Sequence, residues 1–469
     1  MSKGYRIGFA LMDEHSSYNA AFGLASVVEG RGHEAVFLVD DKTVFSRYVS
    51  MHGFTAAAIP PGHESLMVKS VKTGKFRLWR RLTNRAVNNQ LEQTFLVELI
   101  KSNSIDICFL DAIRYDLYPF ALALAKAGVP TLMLSPTFAS RFGAAYPPVF
   151  SSVATPGATR RGIASRTMHA MRWLWALATR GRRQAFDRVE YVRIVHRKWL
   201  DQLRNLSFEL KLRRLGCRSA WSEYKRRPLM PEIVFGHRAL DWPALASDPY
   251  RCYFGTTDQF RKGADFDWPA VDPEKPVIYC NLSTINGFES IGASKSERQV
   301  ATVNLSKARF RMAQRYVEAV LDCFSQQTDW QLLIACGPFY PALKRAVRAP
   351  NIHLFERLPQ LAVLREADLA ITWGGAGTVR ECISLGVPMI VLPAWTDQFG
   401  NAARVVSSNI GLRADLMRIT PERLREMVQQ VLTDKRFGAA LTELRAQSNA
   451  SHEIEEMVRF IQRHTGLQL

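Results

Sequence analysis

What this chain of 469 residues lacks sets the first limits on it. It has no C-x-x-C pair and no Cys/His spacing of the kind that holds zinc; its seven cysteines (108, 217, 252, 280, 323, 336 and 382) are scattered. Cys108, Cys280, Cys323 and Cys336 sit inside apolar runs, where a thiol is ordinarily reduced and buried, the pattern of a cytoplasmic protein. No unbroken apolar run reaches the roughly 18 residues that span a bilayer, and the opening MSKGYRIGFALMDEHSS has too short an apolar stretch for a signal peptide. There is no internal repeat and no low-complexity segment. Acids are in short supply, 43 against 62 Lys plus Arg, a net charge of +19 that points to an anionic partner. With 47% hydrophobic residues the chain is too apolar for disorder, and its length suits two or three domains.

What is present is an alternation of apolar strands and amphipathic helices. In the first half the strand patterns are Tyr5–Met12, Glu34–Asp40, Phe54–Pro60, Asp106–Ala112 and Thr131–Ser135, with helical patterns at Asn19–Arg31, Leu91–Ser102 and Tyr118–Ala127. The alternation restarts at Pro276, with strands over Val277–Leu282, Trp330–Cys336, Ile352–Phe355, Leu369–Thr372 and Met389–Pro393. Strands that are apolar throughout belong to parallel sheets covered on both faces. The expectation is an α/β chain of two doubly wound, Rossmann-like domains facing a central cleft. Ligands in such sheets bind beyond the carboxyl ends of the strands.

The excess charge is local. Residues 156–230 hold 19 Lys or Arg against five acids, which accounts for +14 of the total. Within them RTMHAMRWLWALATRGRR (166–183) interleaves Trp173 and Trp175 with methionine, leucine and flanking arginine. That composition suits a peripheral helix on an anionic membrane, at the inner face for a cytoplasmic protein, and equally a packed helix with a solvated basic face. Nucleic acid is not expected as a partner, since no binding module is present and the aromatics are not spaced for stacking.

The most informative stretch is ITWGGAGTVRECISLGVPMIVLPAWTDQFGNAARV, residues 371–405. A buried strand runs into a glycine-rich turn, Gly374-Gly375-Ala376-Gly377-Thr378, that opens a helix. Glycines let an anion approach the backbone, and the helix end offers free N–H groups and a positive dipole. A second strand ends in a loop with Asp397 and Gln398, an acid and an amide suited to sugar hydroxyls. No D-x-D cluster accompanies the phosphate helix, so no metal is expected there.

These residues resemble the donor-binding signature of family 1 glycosyltransferases, the UDP-glycosyltransferase superfamily of GT-B fold, and within it the bacterial macrolide and natural-product type. The family pattern W-x-P-Q, T-H-G-G-x-x-T/S, E-x-x-x-x-G-V-P and D-Q-x-x-N-A is matched by Pro359-Gln360, Thr372, Gly374-Gly375, Thr378, Glu381, Gly386-Val387-Pro388, Asp397-Gln398 and Asn401-Ala402. The resemblance implies that Glu381 holds the ribose, and that Gly375, Gly377 and Thr378, joined by Asn401, receive the diphosphate. It implies that Asp397 and Gln398 bind the transferred sugar and that Arg357 and Gln360 cradle the base. Thr284, in a run similar to the family's Y-x-S-L-G-T, is a second phosphate candidate. Trp373 replaces the family histidine, either beside the diphosphate or as a core residue at the strand end.

The resemblance further implies an inverting transfer of a hexose from a nucleoside-diphosphate sugar (UDP- or dTDP-), used as co-substrate with no cofactor, to a hydrophobic small-molecule or lipid acceptor. In the family a histidine after the first strand is the base and an aspartate supports it. Here these are His15 and Asp111, although counting back from Arg31-Gly32-His33 places the family histidine on Ser17. Asp13 is a weaker alternative base. The implied domains are 1–227 for the acceptor, with the basic region shaping its pocket; 228–275 as linker; 276–450 for the nucleotide sugar; and 451–469 as a helix crossing back. The competing expectation is a catalytically impaired GT-B homologue that binds or activates another enzyme.

Overall fold

The computed structural model describes residues 4–12, 14–40, 44–59, 97–112, 118–138, 219–221, 226–228, 230–242, 246–261, 266–282, 307–394 and 397–468. Thr284, Asp13 and nearly all of the basic region 156–230 lie outside these.

Two parallel sheets organise the chain. The first is built from β1 (Arg6–Ala10), β2 (Glu34–Asp40), β3 (Thr55–Ile59), β4 (Ile107–Asp111), β5 (Thr131–Ser135), β8 (Glu232–Val234) and β9 (Arg251–Tyr253). Its order is β3-β2-β1-β4-β5-β8-β9. A short antiparallel pair, β6 (Ser219–Trp221) and β7 (Arg226–Pro228), stands apart. The second sheet comprises β10 (Val277–Asn281), β11 (Gln331–Ala335), β12 (Ile352–Phe355), β13 (Leu369–Thr372), β14 (Met389–Val391) and β15 (Gly411–Arg413), in the order β12-β11-β10-β13-β14-β15. The helices are α1 (His15–Glu29), α2 (Val44–Met51), α3 (Tyr118–Lys126), α4 (Lys307–Ser325), α5 (Tyr340–Ala346), α6 (Gln360–Arg365), α7 (Ala376–Leu385), α8 (Gln398–Ser407), α9 (Pro421–Thr433), α10 (Lys435–Ala446) and α11 (Ala450–Thr465).

Both sheets are buried on both faces, as the apolar strands require. On one side of the first sheet Ile7, Phe9, Ile107 and Phe109 pack under α1; on the other Ala10, Cys108 and Leu110 pack with Leu124 of α3. Helix α1 carries little polar surface because it is covered twice. Gly23 lies so close to the single 3-10 turn Thr257–Phe260 that a Cβ there would sit 1.9 Å from Thr257 Oγ1, and that hydroxyl donates to the Ala20 carbonyl at 2.7 Å. The helix begins four residues before the expected Asn19, because its first turn is anchored: Ser17 Oγ donates to Asp111 Oδ2 at 3.0 Å.

Residues 228–275, expected to be a linker, include β8 and β9, which extend the first sheet. Pairing beside β5 converts two three-residue segments into strands. The chain then crosses to β10 through 266–276. Helix α11 returns and buries Met457, Phe460 and Ile461 in the core of the first sheet, worth about 1.5–3 kcal/mol per side chain.

The domains share a core and an ion cluster. Phe138, Val234, Leu240 and Tyr253 of the first domain pack in one apolar cluster with Val391, Ala402 and Val405 of the second. Beside it the fully buried Arg404 of α8 donates to Asp241 Oδ1 at 2.8 Å, while Arg251 and the Tyr253 hydroxyl donate to Oδ2 at 3.0 and 2.9 Å. The guanidinium of Arg404 lies 4.4 Å from the Phe138 ring centroid and 4.8 Å from that of Trp242. Burial pushes the Asp241 carboxyl up, but Arg404 and Arg251 outweigh it and hold the group below the usual carboxylate range. Among the described residues no helix is long and apolar enough to cross a membrane.

Removing this carboxylate leaves the buried Arg404 guanidinium without its acid and Arg251 with Glu232 alone, at 3.4 Å. Asp241→Ala is therefore expected to destabilise the protein by about 3–5 kcal/mol in urea unfolding. A loss below about 1 kcal/mol would show that the pair of domains does not rely on it.

Candidate functional site

The site begins where β13 stops. Gly374 follows with φ +82, a left-handed turn, and a Cβ there would lie 2.5 Å from Val391 Cγ1. Gly375 is the N-cap of α7 and offers no side-chain cap, so the helix opens with its first N–H groups uncapped by side chains. A Cβ on Gly375 or Gly377 would meet nothing within 4 Å. Open space in front of a helix N-terminus is what a diphosphate needs. The Gly374 carbonyl, by contrast, points inward and accepts from Asn401 Nδ2 at 2.9 Å.

Trp373, which the sequence left between ligand contact and core, belongs to the core. It is 1% exposed and meets Tyr316 edge-on at 5.5 Å between centroids. Its bulk fills the space behind the strand end, and the indole contributes to the hydrophobic cluster under α4 and α9.

Next to the turn, Gln360 at the start of α6 is a hub. Its Oε1 accepts from Asn281 Nδ2 at 2.6 Å and from the Tyr279 hydroxyl at 2.9 Å. Its Nε2 donates to Thr378 Oγ1 at 3.3 Å and, closer, to Glu381 Oε2. An amide has two donors and two acceptor lone pairs, so these four bonds use its capacity. In this arrangement Gln360 orients Thr378 and Glu381. Tyr279 and Asn281 stand in the run that introduced Thr284, yet only the structure shows that they fix Gln360. Arg357, one turn of chain earlier, is exposed.

Asp397 heads α8. Its Oδ2 accepts from Asn401 Nδ2 at 3.0 Å and from Thr137 Oγ1 of the first domain at 2.8 Å. Gln398 and Asn401 are both 0% exposed, and Gln398 Oε1 accepts from the Ala394 N–H at 2.9 Å. In this arrangement Asn401 ties the glycine turn to α8, and Gln398 ties α8 to the loop before it. Asp397 is the half-buried member of the three.

The first domain meets α7 through the 3-10 turn Thr257–Phe260 and the residue after it. Asp258 Oδ1 faces Arg380 Nε at 3.5 Å and accepts from Ser384 Oγ at 3.2 Å, and Arg261 pairs with Glu381 Oε1. Glu381 is thus held by both domains. Arg261 escaped the sequence reading because it lies 120 residues from its partner, inside the supposed linker.

Across the cleft, His15 opens α1 and is 8% exposed. Its ring sits 5.0 Å from Phe45 and 4.6 Å from Tyr48, centroid to centroid. Burial, then the charges of Arg357 and His52, lower its pKa to about 4. Asp111 is fully buried, and its Oδ2 accepts from Ser17 Oγ at 3.0 Å and from the Met12 N–H at 3.1 Å. The side chain in the seat beside Asp111 is therefore Ser17, the position reached by counting back from the Arg31-Gly32-His33 turn.

The C-terminal domain from residue 342 to 463 matches the family model described as Erythromycin biosynthesis protein CIII-like, C-terminal domain. The chain is 29% identical over 149 residues to an oleandomycin glycosyltransferase of Streptomyces antibioticus, covering 32% of this chain and 34% of that one. It is 27% identical over 219 residues to a zeaxanthin glucosyltransferase of Pantoea ananas, covering 46% and 43%. The matched stretch thus spans less than half the length of these relatives. Among solved structures, the glycosyltransferase of kitacinnamycin superposes with a TM-score of 0.62 at 19% identity, covering 99% of this chain and 100% of that one. The architecture is the two-domain GT-B fold. The second domain, which carries the signature, is thus similar to the C-terminal domain of that glycosyltransferase family model.

Gly374→Ala should damage the nucleotide turn specifically. The left-handed backbone alone costs about 1–2 kcal/mol for an L side chain, and the new methyl strikes Val391. A lower thermal midpoint together with weakened binding of UDP or dTDP is expected; an unperturbed variant would show that the turn is not built as described.

Proposed function

We propose that the protein is a glycosyltransferase that moves a hexose from a nucleoside-diphosphate sugar to a nucleophile, a hydroxyl above all, of a hydrophobic acceptor, with inversion. The observation that carries this reading is the junction of the uncapped α7 N-terminus with Glu381, Thr378 and Gln360, set one strand away from Asp397. Phosphate, ribose and sugar each find the chemistry they need within one stretch of the second domain. The acceptor class is supported by the names of relatives whose substrates are hydrophobic, a macrolide and a carotenoid. Solved neighbours include a glycosyltransferase in complex with dTDP and another complexed with spinosyn aglycone.

In this mechanism the diphosphate leaves toward the helix end, where N–H dipoles accept the developing charge; such a terminus is worth about 0.3–2 kcal/mol to an anion. Glu381 accepts the ribose hydroxyls and Asp397 a hydroxyl of the hexose. The nucleophile attacks the anomeric carbon from the face opposite the diphosphate as its C–O bond breaks. His15 takes the proton, and Asp111, acting through Ser17 and the Met12 N–H, fixes the start of α1 that presents it. We assign no metal to the reaction.

The pH dependence follows from the burial of His15. A base must be unprotonated, and with its pKa lowered to about 4 the imidazole is neutral through the physiological range. The acid limb of kcat/KM should therefore fall near pH 4 rather than near 6.5. His15→Ala should cut transfer by about 10²–10⁴-fold while nucleotide binding survives. If Ser17→Ala or Asp111→Asn abolishes transfer while His15→Ala leaves it intact, the base is at the Asp111 seat instead. Glu381→Ala should weaken UDP or dTDP by roughly ten- to hundredfold, and activity should withstand EDTA.

A further inference from the structure

The glycine turn carries no cation: from Trp373 to Thr378 its side chains are indole, hydrogen, methyl or hydroxyl. One charge that meets a signature residue comes from the other domain. Arg261 follows the 3-10 turn that rests on α1, where Thr257 Oγ1 bonds Ala20 and Ser26 Oγ donates to the Phe260 carbonyl at 3.4 Å. Thus mounted, its guanidinium pairs with Glu381 Oε1, while Oε2 is taken by Gln360. The side chains of Arg261 and Glu381 are only 16% and 5% exposed. The other charged or titratable groups around the pair are Asp258, Arg380 and His52. Arg380 lies near enough to feel Glu381 but faces Asp258 Oδ1 at 3.5 Å, whereas Arg261 makes the ion pair with Glu381.

Two fates for Arg261 are conceivable when a ribose arrives: displacement from the carboxylate, or retention beside it. Breaking a nearly buried ion pair costs more than two hydroxyl hydrogen bonds return. A carboxylate also has about four acceptor sites, enough for Arg261, Gln360 and two hydroxyls together. Retention wins.

We propose that Arg261 is a residue of the nucleotide site contributed by the first domain: it stays on Glu381, fixes the carboxylate for the ribose hydroxyls, and adds the positive charge that the phosphate turn lacks. This rests on the nucleotide-sugar reading above and extends it. The donor site is then complete only when both domains are in place.

Calorimetric titration of UDP and of dTDP into the full chain tests this. Arg261→Met and Arg261→Gln should weaken binding at least about tenfold, whereas Arg261→Lys, which keeps the charge, should stay within about threefold of the wild type. Circular dichroism melts establish that each variant is folded. Should the methionine variant not fold, the order of lysine above glutamine decides the matter, since glutamine keeps a hydrogen bond to Glu381 without the charge. Unchanged or tighter binding in Arg261→Gln overturns the proposal. Binding lost in Glu381→Ala but kept in both uncharged Arg261 variants overturns the proposal alone. A wild type that binds neither nucleotide overturns the function and the proposal with it.

Discussion

Asp241 is a carboxylate with no access to water of its own, and the relation between the two halves of the molecule rests on it. It accepts from the Trp242 N–H and from Arg404 on one oxygen, and from Arg251 and Tyr253 on the other. Three of those donors belong to the first domain and one to α8 of the second. A buried charge of either sign is costly unless paired, so neither Asp241 with Arg251 nor Arg404 alone is comfortable without the other domain. The apolar cluster around Phe138, Tyr253 and Val405 supplies attraction without direction. The ion cluster supplies direction. It acts on the very helix whose first residues are Asp397 and Gln398, so the orientation of the sugar end of the site is inherited from the interface.

The second domain sorts its polar groups with the same economy. At the glycine turn both backbone groups of Gly374 are satisfied inward: its carbonyl accepts from Asn401, and its N–H donates to Thr372 Oγ1. What remains outward is the row of N–H groups opening α7. Trp373 assists by being absent from that row, since its indole fills the core against Tyr316 and holds the strand end rigid. A side-chain contact to phosphate at this position is given up for packing. In the proposed reading the backbone is left to meet the anion, with Arg261 brought to Glu381 from across the domain boundary.

Much of this was legible because strand signals are local. Glu34–Asp40, Thr131–Ser135, Ile352–Phe355 and Leu369–Thr372 are read to the residue from their apolar runs. The GT-B architecture and the signature turn followed from spacing within 35 residues. What escaped was decided by distant partners. Glu232–Val234 and Arg251–Tyr253 have no periodicity of their own and are strands because the first pairs with β5 and the second with β8. The bonds of Gln360 to Tyr279, Asn281, Thr378 and Glu381 join residues that no local pattern connects. Ser17 could be counted into the histidine position, but its bond to Asp111 spans 94 residues and no local pattern announces it. Arg261 sat in a stretch whose prolines, tryptophan and aspartates read as connection.

The same long-range logic governs His15, the proposed base. Histidine next to phenylalanine and tyrosine, nearly out of reach of water, is driven neutral first by desolvation. The second contribution comes from Arg357, which belongs to the nucleotide domain. A residue assigned from sequence to the nucleotide base therefore also sets the proton affinity of a residue assigned to the acceptor. On the opposite flank Arg261 carries charge from the acceptor domain to Glu381. Each half-site is tuned by an arginine of the other domain. The cleft is consequently one electrostatic site, and its properties belong to neither Rossmann-like domain taken separately.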